Sequence, residues 1–252
     1  MELHELLLQI TRCPELILAG MDGGHPCAKV AAAQPAHTYQ VVEPWLGHID
    51  KAPILFISRS PRVGENSYSP RLDWSEHDTV SFFQRHFDKD ADWSRVSSNG
   101  VVKGYVFDNA GNKVPTGGVP FFGSLRQRAK ELLGRNAFAG RDFALTCAVH
   151  CRTPKGEGVP EALTKCAETW MNLVLEHAAA SIVVLMGPEA QDAATKLWKL
   201  DASRKVQFDV PVSGRNRAIA RLPLPGAGVP GKFENCVDPD DLRRLRARLS
   251  AV

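Results

Sequence analysis

Four short, nearly continuous apolar runs punctuate the chain: PILFIS at 53–58, FALTCAVH at 143–150, SIVVLMG at 181–187 and AIARLPLP at 218–225. Runs of this length without polar alternation suit strands covered on both faces. Between and after them the period changes to that of a helix. SLRQRAKELLG (124–134) closes on Gly134, and EALTKCAETWMNLVLEHAAA (161–180) carries an apolar stripe. PEAQDAATKLWKL follows the third run directly, with Pro188 in its first turn. DPDDLRRLRARL (238–249) begins acidic and ends basic, as the helix dipole favours. Leucines spaced among polar residues over 3–10 give a short amphipathic helix at the N-terminal end. Apolar strands alternating with helices predict a three-layer α/β/α fold around a central, mainly parallel, four-stranded sheet. Ligands in such sheets bind beyond the carboxyl ends of the strands. The loops 58–66, 147–155 and 222–230 are where a site is expected.

Two stretches break the alternation. Residues 20–48 are rich in Gly, Pro and Ala and read as an irregular wrap. Residues 66–118 hold Tyr68, Trp74, Phe82, Phe83, Phe87, Trp93, Tyr105 and Phe107, and end in the hairpin-like YVFDNAGNKV. They read as an insertion of about 66–118 within a single domain spanning 1–252, its aromatics forming a small core of their own.

Composition narrows the class. With 44% hydrophobic and 23% charged residues over 252 positions, the chain can bury one large core and is neither collagenous nor disordered. No run approaches the roughly 20 apolar residues of a membrane span, and MELHELLLQITRC lacks the basic start and cleavage site of a signal peptide. The expected compartment is the cytoplasm, with no membrane partner. The six cysteines are then not a disulfide framework. They are small buried residues or, where four meet, ligands for zinc or an iron–sulfur cluster. A net charge of +3 says little, but Arg59 and Arg62, Arg152 and Lys155, and Arg215, Arg217, Arg221 and Lys232 flank the three loops. Cations so placed would track a nucleic-acid backbone. The run RRLRAR (243–248) reads instead as a solvated helix face.

The pieces PILFIS-RSPRVGE, GVPFFGSLRQRAKELLG, TCAVHCRTP…EALTKC, SIVVLMGPEA and RLPLPG stand in a telling order. In that order and spacing the chain resembles the uracil-DNA glycosylase superfamily, and most of all its iron–sulfur branch, over 50–66 and about 120–230. Pro61 and Glu65 match the first loop. Pro120, Phe121 and Gly123 match the segment whose Phe stacks on the base, and Cys151, Arg152 and Cys166 match the cluster-binding stretch. The resemblance implies a [4Fe–4S] cluster on Cys13, Cys27, Cys151 and Cys166. Cys27 enters as the fourth ligand because Ile10 stands where the family's N-terminal Cys-x-x-Cys has its first cysteine.

The departures fall on the chemistry. The family's first catalytic acid aligns with Arg59, its motif glycine with Ser58, its uracil-reading Asn with Cys147 and its loop His with Leu224. The implied function is a monomeric DNA glycosylase of atypical base choice, excising a modified or deaminated pyrimidine, with modified phage DNA among the substrates that the resemblance implies. Glu65 would position water, while Arg59 or His150 stabilises the departing base. Phe121 would stack on the extruded base, with Ser58, Ser60, Cys147 and Leu224 around it. Arg62, Arg152, Lys155, Gly226 and Gly228 would meet the DNA backbone. Each residue has a plainer reading: Glu65 a loop cap, Arg59 an ion pair, His150 a satisfied structural histidine, Cys147 a space-filler. The alternative functions are a catalytically inactive DNA-binding module that recognises an extruded base and, last, a nucleoside or phosphoester hydrolase.

Overall fold

The structure is a computed structural model and describes residues 1–33, 41–61, 68–108, 112–226 and 232–250. In chain order the helices are α1 (Leu3–Thr11), α2 (Pro14–Ala19), α3 (Ala28–Ala32), α4 (Glu76–Gln84), α5 (Pro120–Leu133), α6 (Val159–His177), α7 (Pro188–Trp198) and α8 (Pro239–Ser250). The strands are β1 (Ile54–Ser58), β2 (Arg95–Val96), β3 (Val102–Phe107), β4 (Lys113–Gly118), β5 (Phe143–Cys147), β6 (Ile182–Met186), β7 (Val206–Val212) and β8 (Arg215–Leu222). Among the described residues no helix is long and apolar enough to cross a membrane.

The central sheet runs β5-β1-β6-β8-β7. Its first three pairings are parallel and the last is antiparallel. Every residue of β1, β5 and β6 is buried, as their unbroken apolar runs predict. The sheet has five strands rather than four. The extra one, β7, is an edge strand reading VQFDVPV, with a register shift between Gln207 and Val210 and Asp209 at φ 55°. An edge tolerates the missing N–H of Pro211 and a polar outer face, so the strand carries little apolar signature. β8 also starts at Arg215, ahead of its apolar run, and ends at Leu222, before Pro223.

Helix α6 lays Val159, Ala162, Cys166, Ala167, Trp170, Met171, Val174 and Leu175 inward at helical spacing. At its C-terminal end the fully buried Arg217 places Nη2 on the carbonyls of Leu175 (2.7 Å) and Ala178 (2.9 Å), and Nη1 on that of Ala180. The Leu175 carbonyl takes only a long bond from the Ala178 N–H (3.3 Å), and the other two lie just past the helix, so a cation there supplies the donors they lack.

The stretch read as an irregular wrap follows α2 and contains α3, and beyond the undescribed residues it runs along the edge of β5, with Leu46 bridging Leu145 in both directions. Covering that edge removes a template for strand addition. The insertion forms the antiparallel sheet β2-β3-β4. Tyr68 touches the rings of Trp74, Phe82, Trp93, Tyr105 and Phe107. This cluster is not a separate core: α4 drives Phe82 and Phe83 into the main one, and the Gly47 N–H bonds the Phe83 carbonyl at 2.8 Å. The arginines of RRLRAR are not simply solvated either. Arg244 lies over the Phe208 ring at 3.8 Å, Arg246 bonds the Glu131 carbonyl and Arg248 pairs with Asp209, docking α8 on the sheet edge and on α5.

Candidate functional site

β1 pairs with β5 on one side and β6 on the other, so the chain reverses its direction of winding at β1. The crevice outside the carboxyl ends of β1 and β6 is the topological switch point, where open α/β sheets take ligands.

Arg59 is the first residue past β1, and Glu189 sits in the first turn of α7, just past β6. Arg59 Nε lies 3.2 Å from Glu189 Oε1 with both side chains partly exposed. The Nε–H makes no hydrogen bond, so the contact is electrostatic. Arg59 Nη2 donates to the Gly156 carbonyl at 3.3 Å. Gly156 has φ +77°, and a Cβ there would come within 2.8 Å of that same Nη2. Glycine is required both for the backbone and for the seat of the guanidinium. Gly187 (φ +85°) fills a like role beside Glu189: its Cβ would lie 3.3 Å from that of Leu224 and 3.8 Å from Glu189 Oε2. The loops after β1, β5, β6 and β8 thus converge on one ion pair. Glu189 is absent from the sequence reading, which took GPEA only as a helix start; an acid just past a buried parallel strand was the available signal.

Ser58 and Cys147 are register partners at the ends of β1 and β5, with Oγ and Sγ 3.1 Å apart, and both are buried. Burial pushes the Cys147 thiol well above its ordinary value, so the pair is uncharged. Ser60 is half-buried beside Arg59, Leu224 is half-buried against Gly187, and Gly226 is exposed. Phe121, second residue of α5, is half-buried, with its ring 6.0 Å from that of Phe122. Glu65, Arg62 and Gly228 lie outside the described residues.

The structure gives other candidates structural partners. His150 is buried and bonds the Glu43 carbonyl through Nδ1 at 2.8 Å. Burial drives it down to about 4, leaving it neutral. Arg152 is buried too, with Nη2 2.5 Å from Glu43 Oε2 and Nη1 on Ser69 Oγ. Arg217 holds the end of α6, and the buried Arg221 bonds the Ala202 carbonyl and Thr195 Oγ1. A basic rim built on Arg152, Arg217 and Arg221 is therefore not present: all three are committed to the interior, because each meets acceptors that the fold leaves unsatisfied. Lys155 stays exposed, held at φ 53° in the turn Pro154–Gly156.

Four cysteines from four segments lie near one another. Cys13 and Cys27 precede α2 and α3, Cys151 follows β5 and Cys166 faces inward from α6; all are buried. Burial first, then the neighbouring thiols, raises Cys27 to about 11 and Cys151 well above its ordinary value. Cys166 is raised by burial and by Cys13 and Cys27, although the His150 N–H bonds its sulfur at 3.4 Å. Gly158 (φ +72°) lets the loop before α6 touch the wrap, since a Cβ there would stand 2.5 Å from the Val30 nitrogen. Glu15 joins His25 (3.1 Å) and Lys165 (3.0 Å) over the same seam. No three His, Cys, Asp or Glu among the described residues stand close enough to hold a single metal ion. An iron–sulfur cluster, unlike a single ion, places its own iron and sulfide between its thiolate ligands. Compared with known proteins, the chain matches no protein-family model and no curated sequence.

Proposed function

We propose that this protein is a DNA glycosylase with a rebuilt base pocket, hydrolysing the N-glycosidic bond of a modified or deaminated pyrimidine. The observation that carries the reading is Arg59 at the end of β1, seated on Gly156 and facing Glu189 across the switch point. The ordered motifs that resemble the uracil-DNA glycosylase superfamily supply the substrate class.

The bond breaks with its electron pair leaving on the base, so the sugar becomes cationic and the base anionic. Guanidinium donors beside the base meet that negative charge in a site partly shielded from water. Glu65 is the acid that the resemblance assigns to water. Lys155 is a strand-end cation left open to phosphate. Ser58 and Cys147 form a neutral pair where the family reads uracil with an amide. A site without that amide has lost the buried group that rejects the wrong base. Cys13, Cys27, Cys151 and Cys166 would hold a [4Fe–4S] cluster, which when bound cross-links the wrap to α6.

The test is abasic-site formation on duplexes carrying uracil, hypoxanthine, 5-hydroxymethyluracil, 5-hydroxymethylcytosine or its glucoside. Release of a modified base with uracil spared is the expected result. Silence on every duplex overturns the enzymatic reading. Tight binding alongside that silence would favour a non-catalytic reader, the second reading, to which the closed Ser58–Cys147 pair lends support.

A further inference from the structure

We infer that Glu189 is the carboxylate that meets the positive charge developing on the sugar, while Arg59 takes the negative charge of the departing base. The inference rests on the glycosylase reading and deepens it. Cleavage creates two opposite charges a bond length apart, and the switch point holds one fixed group of each sign. The Arg59–Glu189 pair is 32% and 24% exposed, open enough to meet a ligand yet held by partners on three loops. Glu189 Oε1 faces Arg59. Among the described residues nothing hydrogen-bonds Oε2, and the missing side chain of Gly187 leaves the space beside it clear. Leu224 walls the far side of that space. The other acids near these loops are placed differently: Glu43 is buried against Arg152, and Glu157 is exposed on the turn leading to α6.

The step balances. The C1′–N bond breaks and its electron pair goes to the base, next to the Arg59 N–H groups. The C1′ cation then stands beside Glu189. A water oxygen bonds C1′, and the proton it sheds passes to a carboxylate or to solvent.

Charge recognition is readable without turnover. The full chain is titrated with duplex DNA carrying a cationic pyrrolidine in place of one sugar, and with the same duplex carrying neutral tetrahydrofuran. Wild type is expected to prefer the pyrrolidine by about tenfold or more, as a mimic of the charged state should be preferred. Glu189→Gln should erase that preference while binding the tetrahydrofuran duplex unchanged, which also reports that the variant is folded. Glu65→Gln should keep it. A preference that survives in Glu189→Gln, or is absent from wild type, overturns the inference. Base release is measured separately: preference lost in Glu189→Gln with no base released by wild type supports the charge assignment and overturns the enzymatic reading.

Discussion

Arg59 Nε stands 3.2 Å from Glu189 Oε1, joining the end of β1 to the first turn of α7 across 130 residues of chain. Removing one electrostatic donor from a catalytic site commonly costs about 10²–10³ in rate. Arg59→Ala is therefore expected to lower base release by that factor with little effect on the melting temperature, because the pair is partly exposed and such pairs contribute little stability. Single-turnover rates and thermal melts check both halves.

Gly156 sets the position of Arg59. Gly156→Ala places a Cβ 2.8 Å from Nη2 at φ +77°, so both the backbone and the guanidinium must shift. The expected cost is about 1–3 kcal/mol of stability, together with a fall in base release close to that of Arg59→Ala. Stability lost with activity intact would show that the seat is not needed.

The four gathered cysteines differ from the other two. Cys151→Ser and Cys166→Ser should give colourless protein of low iron content and poor solubility, whereas Cys236→Ser should keep both iron and colour. Cys236 lies apart, half-buried near Arg128 and Glu131. Equal iron in all three proteins would sink the cluster assignment.

His86 is half-buried in the insertion, its Nδ1 shielded from solvent and its ring 4.7 Å from that of Phe82. Burial, and then the charge of Arg152, lowers it from 6.5 to about 3. The folded state keeps it neutral while the unfolded chain protonates near 6.5. Its contribution is fully present above that pH and is lost as the pH falls towards 3. Unfolding free energy measured in urea should lose about 1.4 kcal/mol per pH unit to this group through that window, and His86→Phe should flatten the slope.

Arg217 satisfies three carbonyls at the end of α6 from a fully buried position. Arg217→Ala removes a charged donor from all three and opens a cavity, an expected loss of about 3 kcal/mol. The salt dependence of DNA binding by the folded fraction should not change, in contrast to Lys155→Ala, which should reduce it.

The parallel strands and long helices were legible from the chain alone because burial on both faces demands unbroken apolar runs, and a helix buried on one side demands a stripe. PILFIS, FALTC and IVVLM could be little else. The edge strand β7 was not, since an edge accepts Pro211 and Asp209 without penalty. The placement of the arginines was illegible for a different reason. Arg152, Arg217 and Arg221 share the residue type and loop-side position of Arg59, but their roles depend on which orphaned carbonyl or carboxylate the fold brings near.

By itself the sequence determined the α/β class, the strand-end loops at which a site is expected, and the supply of six thiols and several cations. Periodicity and composition act over a few residues and carry that much. The tertiary structure decided that Arg59 faces Glu189, that three arginines turn inward, and that Cys13, Cys27, Cys151 and Cys166 share one seam while Cys147 pairs with Ser58. Those relations join segments far apart in the chain, and only strand order and helix docking bring them within reach of one another.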